Sequence, residues 1–203
     1  MARGMLDLEV MIENALEKFP VRTEVRDGSP CSIRPMERGD EHLFREFHSV
    51  IPDREQLFIK SRIKDGTLFR EWMADPEFGE HLPLVAFIDG RLVAIGSLHQ
   101  RLGGWKRHIG KVYFLTHPGF RGLGLIDRLL EQMIEIARHC GLTKLESEIN
   151  GERASAIEAM AGVGFRELVR IPNYIQDMRG VSHDYVVMGM DLVASFENLG
   201  AGD

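Results

Sequence analysis

Two periods of apolar and polar residues run along this chain. Leu8, Met11, Ile12, Ala15, Leu16 and Phe19 recur at helical spacing, while Glu9, Glu13, Glu17 and Lys18 take the opposite face. This spacing predicts an amphipathic helix over Leu6 to Phe19 that stops near Pro20. Val21 to Arg26 and Cys31 to Arg34 read as short strands around an Asp27-Gly28 turn, and Pro35 stops the second. A helical stretch follows from Glu37 to Ile51. The region from Pro52 to Pro83 predicts one or two further helices around Phe58, Ile59, Ile63, Leu68, Phe69 and Trp72.

The period then changes. Leu84 to Ile88 and Leu92 to Leu98 flank Asp89-Gly90, a pair that supplies positive φ, so they predict a hairpin; another strand runs from His108 to Thr116. Ile126, Leu129, Leu130, Met133, Ile134, Ala137 and Cys140 mark one face of a long helix after Gly124, and Gly141 stands at its expected stop. A strand over Lys144 to Ile149 leads to a helix over Glu152 to Ala161, capped by Asn150 and ended by Gly162 and Gly164. Strands at Phe165 to Ile171 and Asp184 to Leu192 close the pattern. The order predicts an α+β fold: a single mixed, mostly antiparallel central sheet flanked by helices, with an N-terminal amphipathic helix. It divides the chain into a helical extension over 1–20, a main domain over 21–195 and a flexible tail over 196–203.

Composition narrows the function classes. With 203 residues and 44% hydrophobic composition the chain can bury one sizeable core. A net charge of -6 lacks the basic footprint that nucleic-acid binding requires, so any anion site must be local. No stretch approaches the roughly 18 apolar residues of a membrane span, and no membrane partner is expected. Cys31 and Cys140 form no CxxC pair, which argues against a metal and for a reduced, cytoplasmic setting.

The chemistry concentrates in Tyr113-Phe-Leu-Thr-His-Pro-Gly-Phe-Arg-Gly-Leu-Gly-Leu-Ile126, where a strand, a Pro-Gly break and a Gly-rich turn precede the long helix. A helix N-terminus presents unpaired N–H groups and a positive dipole end, and glycines there let an anion approach the backbone. Charged hydrogen bonds of this kind contribute roughly 1.5 to 3 kcal/mol each. The spacing is neither a P-loop nor a GxGxxG fingerprint.

Arg121, Gly122 and Gly124, the approach His117-Pro118, Asn150 before the next helix and Gly162-Val163-Gly164-Phe165 after it resemble the GNAT acetyltransferase superfamily. Gly122-Leu-Gly-Leu, Gly141-Leu-Thr-Lys-Leu145 and the segment Val25 to Pro35 look most like the GNAT domains of bacterial protein-lysine acetyltransferases. The resemblance implies acetyl-CoA as cosubstrate, without a metal, held by Leu115, Thr116, His117, Phe120, Arg121, Gly122, Leu123, Gly124, Leu125, Ile126, Asn150 and Met160. It implies direct acetyl transfer to a primary amine, either a small molecule or a protein lysine, and a homodimer that the N-terminal helix could serve. Three residues depart from the pattern: Ile126 replaces the loop's last small residue, Met160 replaces a proton-returning tyrosine, and Lys111 stands where protein-acetylating relatives carry a glutamate.

A lysine-like amine is neutral in only about one molecule per few thousand at pH 7, so something must take its proton. Glu146, Glu148, His117 and His183-Asp184 are the candidate bases, and Tyr113 and Tyr174 the candidate proton donors. The backbone N–H groups of Leu115 to His117 are where the superfamily stabilises an oxyanion. Arg101, Lys106, Arg107, His108 and Lys111 form a basic stretch in an acidic chain that can attract an anion, either a CoA phosphate or a carboxylate on the acceptor; a cation at Lys111 would repel a protonated lysine and so favour a small amine that also carries a carboxylate. Retained turnover and an acyl-CoA-binding or sensing module without turnover are both open at this point.

Overall fold

Among the described residues, eight strands join in one sheet in the order β1-β2-β3-β4-β5-β6-β8-β7. The computed structural model describes residues 12–56, 67–74 and 80–192. Strands β1 (Val21–Glu24), β2 (Pro30–Pro35), β3 (His81–Ile88), β4 (Arg91–His99) and β5 (Ile109–Thr116) form an antiparallel meander. β6 (Lys144–Asn150) lies parallel to β5, and β8 (Ser182–Asp191) and β7 (Arg166–Gln176) complete the far side antiparallel. The β3–β4 turn has positive φ at both Asp89 (49°) and Gly90 (75°), as that pair predicts.

The single parallel contact requires a crossover, and α4 (Leu125–His139) supplies it. Leu125, Leu129, Leu130, Met133, Ile136 and Ala137 are its buried face, packed with Leu84, Ala86, Val93, Ala94, Leu98 and Val112 of the sheet. A second core covers the other face, where α1 (Glu41–Ser49) and α3 (Thr67–Met73) bring Phe44, Phe47, Phe69 and Trp72 onto Val85, Leu92 and Ile95. Short α2 (Asp53–Gln56) lies between them in sequence, and α5 (Ala154–Gly162) packs on β7. No helix among the described residues is long and apolar enough to cross a membrane.

Several boundaries differ from expectation. The helix expected from Glu37 opens instead with a 3-10 turn, Arg38–Asp40, because Asp40 turns back to accept the Glu37 N–H at 2.8 Å and both guanidinium nitrogens of Arg34 at 2.7 and 2.8 Å. Strand β7 runs on to Gln176 through a register shift between Ile171 and Ile175, which positive φ at Asn173 accompanies. Of the N-terminal helix, residues 12–16 are helical and Ile12 and Ala15 are buried; Leu16 and Phe19 pack against the α4-side core. Its first residues, the positions of Phe58, Ile59 and Ile63, and the tail lie outside the described residues.

Leu129 has no exposed surface at the centre of the α4 face. Leu129→Ala should cost about 2 to 5 kcal/mol through lost transfer energy and cavity formation. Glu131→Ala, on the exposed side of the same helix beside Arg128, should stay within about 0.5 kcal/mol. Urea denaturation of both variants checks the packing face.

Candidate active site

Strands β5 and β6 share three register pairs, Ile109 with Lys144, Gly110 with Leu145 and Lys111 with Glu146, and then part. β5 stays paired to β4 as far as Thr116, and β6 to β8 as far as Asn150. Their facing edges therefore open a gap in the middle of the sheet, and backbone groups along it lack a strand partner. Gly110 permits the tight end: a Cβ there would meet Leu142, Leu98 and Leu145 side chains at 2.8 to 3.0 Å. At the wide end β4 carries a bulge, with Ala86 opposite Ala94 and Phe87 opposite Leu92. The carbonyl of Val93, the residue skipped there, accepts the His117 N–H at 2.8 Å and so fixes where the loop leaves β5.

The loop itself is built by local rules. His117 caps the 3-10 turn Pro118–Phe120 by accepting the Gly119 N–H at its Nδ1, 3.1 Å away, and its ring lies edge-on to Phe120. Gly122 and Gly124 have φ of 80° and 77°, which side-chain-bearing residues rarely adopt, and Gly124 is the N-cap of α4 with no side chain capping it. The α4 N-terminus thus aims its first N–H groups out of the loop, as an anion site requires. The first hairpin fastens this loop: the Arg26 N–H donates to the Leu123 carbonyl at 3.0 Å, and its guanidinium meets Asp127 at 2.9 Å. Arg121 turns away to Glu55 of α2 at 2.8 and 2.9 Å, where Arg153, ahead of α5, also arrives at 3.4 Å. Asn150, 6% exposed at the end of β6, has an amide nitrogen Nδ2 that is buried with no hydrogen-bond partner. A buried donor left unpaired costs about 1 to 3 kcal/mol unless a ligand satisfies it.

On the sheet face away from α4, the tight end of the gap carries the titratable groups. Lys111 reaches diagonally to Glu148 in an ion pair that spans the point where the strands part. Burial pulls the Lys111 pKa down, but the Glu148 contact outweighs it and the ammonium is held charged above its ordinary range. Tyr185 on β8 hydrogen-bonds the same Glu148; burial first, then the Glu148 charge, push its hydroxyl pKa upward. Burial and Glu148 also raise Tyr113, partly offset by Lys111, so both phenols keep their protons at neutral pH. The His99 ring stands edge-on to Tyr113 at 5.0 Å, and its Nε2 lies 2.8 Å from the Ser97 hydroxyl. A cleft of about 440 Å³ opens here, with His81, His99, Lys111 and Glu146 among its walls. That is the size of a small-molecule site.

Leu115, Thr116, His117, Phe120, Arg121, Gly122, Leu123, Gly124, Leu125 and Ile126 run as one segment from the wide end of the gap into α4. Glu146, Glu148 and Tyr113 meet at the tight end. Asn150 does not cap α5, whose N-cap is Arg153; its Oδ1 instead accepts the Glu152 N–H at 2.9 Å, a turn ahead of the helix. Met160 is 3% exposed within the α4-side core. His183 is held by Glu152 and Asp177 at the end of the β7–β8 hairpin, and Tyr174, 66% exposed, packs its ring against Tyr185 with centroids 5.8 Å apart. Lys111 is not the bare cation expected, because Glu148 offsets it. Sequence reasoning missed Tyr185, Glu55 and His99. Strand alternation alone could have placed His99 and Tyr185; nothing in the sequence pointed to Glu55.

An elongated donor fits this arrangement, with its anionic end on the α4 N-terminus and its reactive end between the parted strands. The described residues contain no cluster suited to a metal ion. The profile of the Acetyltransferase (GNAT) family matches residues 42–165. The chain belongs to this family and is an acyltransferase. A search of curated proteins finds no sequence match. Among solved structures, the fold is similar to the GNAT domain of S. lividans PAT at TM-score 0.66 and 18% identity, covering 85% of this chain and 96% of that one. It is also similar to yncA from Salmonella typhimurium, solved with its cofactor acetyl-CoA, at 0.64 and 19%, covering 85% and 98%. The ribosomal-protein-S18-alanine N-acetyltransferase from Escherichia coli superposes at 0.62 and 20%, covering 84% and 99%.

Burial, then the nearby Arg91 and Arg121 charges, lower the His117 pKa below its ordinary 6.5, and its cap needs a neutral Nδ1. The folded chain takes up this proton later than the unfolded one. The cap's stabilisation is therefore whole above pH 6.5 and declines as pH falls through the folded value. His117→Asn, which keeps an acceptor for Gly119, should flatten the loss of thermal midpoint between about pH 7 and 5. Equal slopes for native and variant would show that His117 does not govern the loop.

Proposed function

We propose that this protein moves an acetyl group from acetyl-CoA to a primary amine by direct transfer, with both substrates bound at once. The observation that carries the reading is the parted β5 and β6 with the Gly122–Gly124 loop at their wide end and the orphaned Asn150 donor beside it. The N–H groups of Leu125 and Ile126, behind the two glycines, take the pyrophosphate, and the extended amide-bearing arm lies along the gap. Asn150 donates to that arm from β6. Leu115, Thr116, His117, Phe120 and Leu123 line its path.

The amine enters from the face that bears Glu146 and the Lys111–Glu148 pair. Glu146 takes its proton, directly or through a water, as the nitrogen attacks the thioester carbon. Strand geometry selects the oxyanion donor. N–H directions alternate along a strand, and His117 donates toward β4, so the Thr116 N–H faces the gap. As the carbon–sulfur bond breaks, Tyr113 returns a proton to the departing thiolate in place of the tyrosine that Met160 replaces. The Lys111–Glu148 pair and the Tyr185 hydroxyl hold these groups in register.

The buried Met160 and the exchange of glutamate for Lys111 favour one second reading, an acyl-CoA-binding module without turnover. A protein lysine remains the alternative acceptor, in line with the resemblance of Gly122-Leu-Gly-Leu and Gly141-Leu-Thr-Lys-Leu145 to bacterial protein-lysine acetyltransferases.

Acetyl-CoA should raise the thermal midpoint of the native chain, by about 2.7 kcal/mol of stabilisation at a hundredfold excess over Kd. Gly124→Glu should abolish the rise, because it strains a positive φ and sets a carboxylate beside Asp127 where the pyrophosphate belongs. Thiol release with primary amines should accompany it, and Glu146→Gln should lower kcat about 10²- to 10⁴-fold while the acetyl-CoA shift persists. No rise in the native chain would overturn the reading; a rise without thiol release for any amine would establish the second one.

A further inference from the structure

The cleft at the tight end of the gap carries charges of both signs: the carboxylates of Glu146 and of Glu80, just ahead of β3, and the cations Arg101, Lys106 and Lys111. Its inner wall is strand: Glu146 on β6 and Lys111 on β5, the latter already neutralised by Glu148. Its outer wall is the β4–β5 connection, where Arg101 and Lys106 line the cleft together with Leu102. Among the described residues neither Arg101 nor Lys106 makes an ion pair, whereas Lys111 and Arg121 do. In a chain with a net charge of -6, two cations without an ion pair at the mouth of a cleft of about 440 Å³ outnumber the one carboxylate, Glu80, that shares that end with them.

From this placement we infer that the acceptor is a small zwitterion of the amino-acid class, bound with its ammonium group toward Glu146 and its carboxylate on Arg101 and Lys106. This rests on the acetyl-transfer reading and names its substrate class. Glu146 must lie close to the reacting nitrogen, since it stands at the last register pair before the strands separate. Lys111 cannot serve the carboxylate, because Glu148 occupies it. That function passes to Arg101 and Lys106 in the connection ahead of β5, which the sequence had grouped with Lys111 as one basic stretch. The side chain of the acceptor would face Leu102, which is 47% exposed, and the His81–His99 ring pair, whose centroids are 4.5 Å apart. The volume admits one amino acid with its side chain.

The test separates acceptor recognition from turnover. Each of the twenty amino acids and its carboxamide is titrated by calorimetry into the protein saturated with CoA, and the same pairs are assayed for thiol release with acetyl-CoA. At least one free acid should bind about tenfold or more tightly than its amide, the loss of one charge-assisted contact. The Arg101→Gln, Lys106→Gln double variant should erase that preference while its acetyl-CoA thermal shift shows the fold and cofactor loop intact. In the thiol assay the change should appear in KM for the free acid. If amides bind as well as acids, if none of the panel binds, or if only peptides bearing lysine release thiol, the inference is overturned while acetyl transfer stands. Loss of the acetyl-CoA shift in the native chain would instead remove the parent reading.

Discussion

The layout of the candidate site depends on two parallel strands that are allowed to pair for three residues and no more. β5 and β6 are drawn together at Gly110, where absent side-chain bulk admits Leu142, Leu98 and Leu145. They are drawn apart at the other end, where each follows a different antiparallel partner. A sheet interrupted in this way exposes backbone groups in its interior, and on the α4 side it is backed by one core that takes in Val112 of β5 and Leu145 of β6. The interruption also sets the direction of the site. Its wide end opens on the α4 N-terminus, its tight end on a cluster of ionisable side chains.

Electrostatics at the two ends follow different rules. At the wide end charge comes mainly from the backbone: two glycines at positive φ and an uncapped helix N-terminus, with Arg26 spent on Asp127 and Arg121 spent on Glu55. Glu55 is 12% exposed and receives two guanidiniums from the two loops that flank the gap, so it ties those loops together across the opening. At the tight end charge comes from side chains on adjacent strands, and pairing decides which remain available. Lys111 and Glu148 neutralise one another, and Tyr185 adds its hydroxyl to the same carboxylate, which leaves Glu146, Glu80 and the mouth cations to face the cleft.

The strand and helix order was legible wherever the apolar period was long. The β3–β4 hairpin follows from Asp89-Gly90 between two apolar runs, and α4 from seven apolar positions on one face, because such patterns have one way to bury themselves. The Gly-rich loop was equally legible, since positive φ at Gly122 and Gly124 is a property of the residues themselves. The cap of α5 was not. Asn150 has the right chemistry for an N-cap, but the chain makes one more turn through Glu152 before the helix begins, and the side chain spends its oxygen on that turn.

By itself, then, the sequence determined the α+β order, the Gly-rich entry to α4 and the family to which these belong, because each depends on residues close together in the chain. Only the tertiary structure decided which charges meet. Lys111 and Glu148 are 37 positions apart and Arg121 and Glu55 are 66 apart, so their pairing follows from sheet register and from where α2 comes to rest. Register also placed Tyr185 beside Glu148 and left Arg101 and Lys106 unpaired at the mouth of the cleft, and no local pattern specifies the neighbour of a strand.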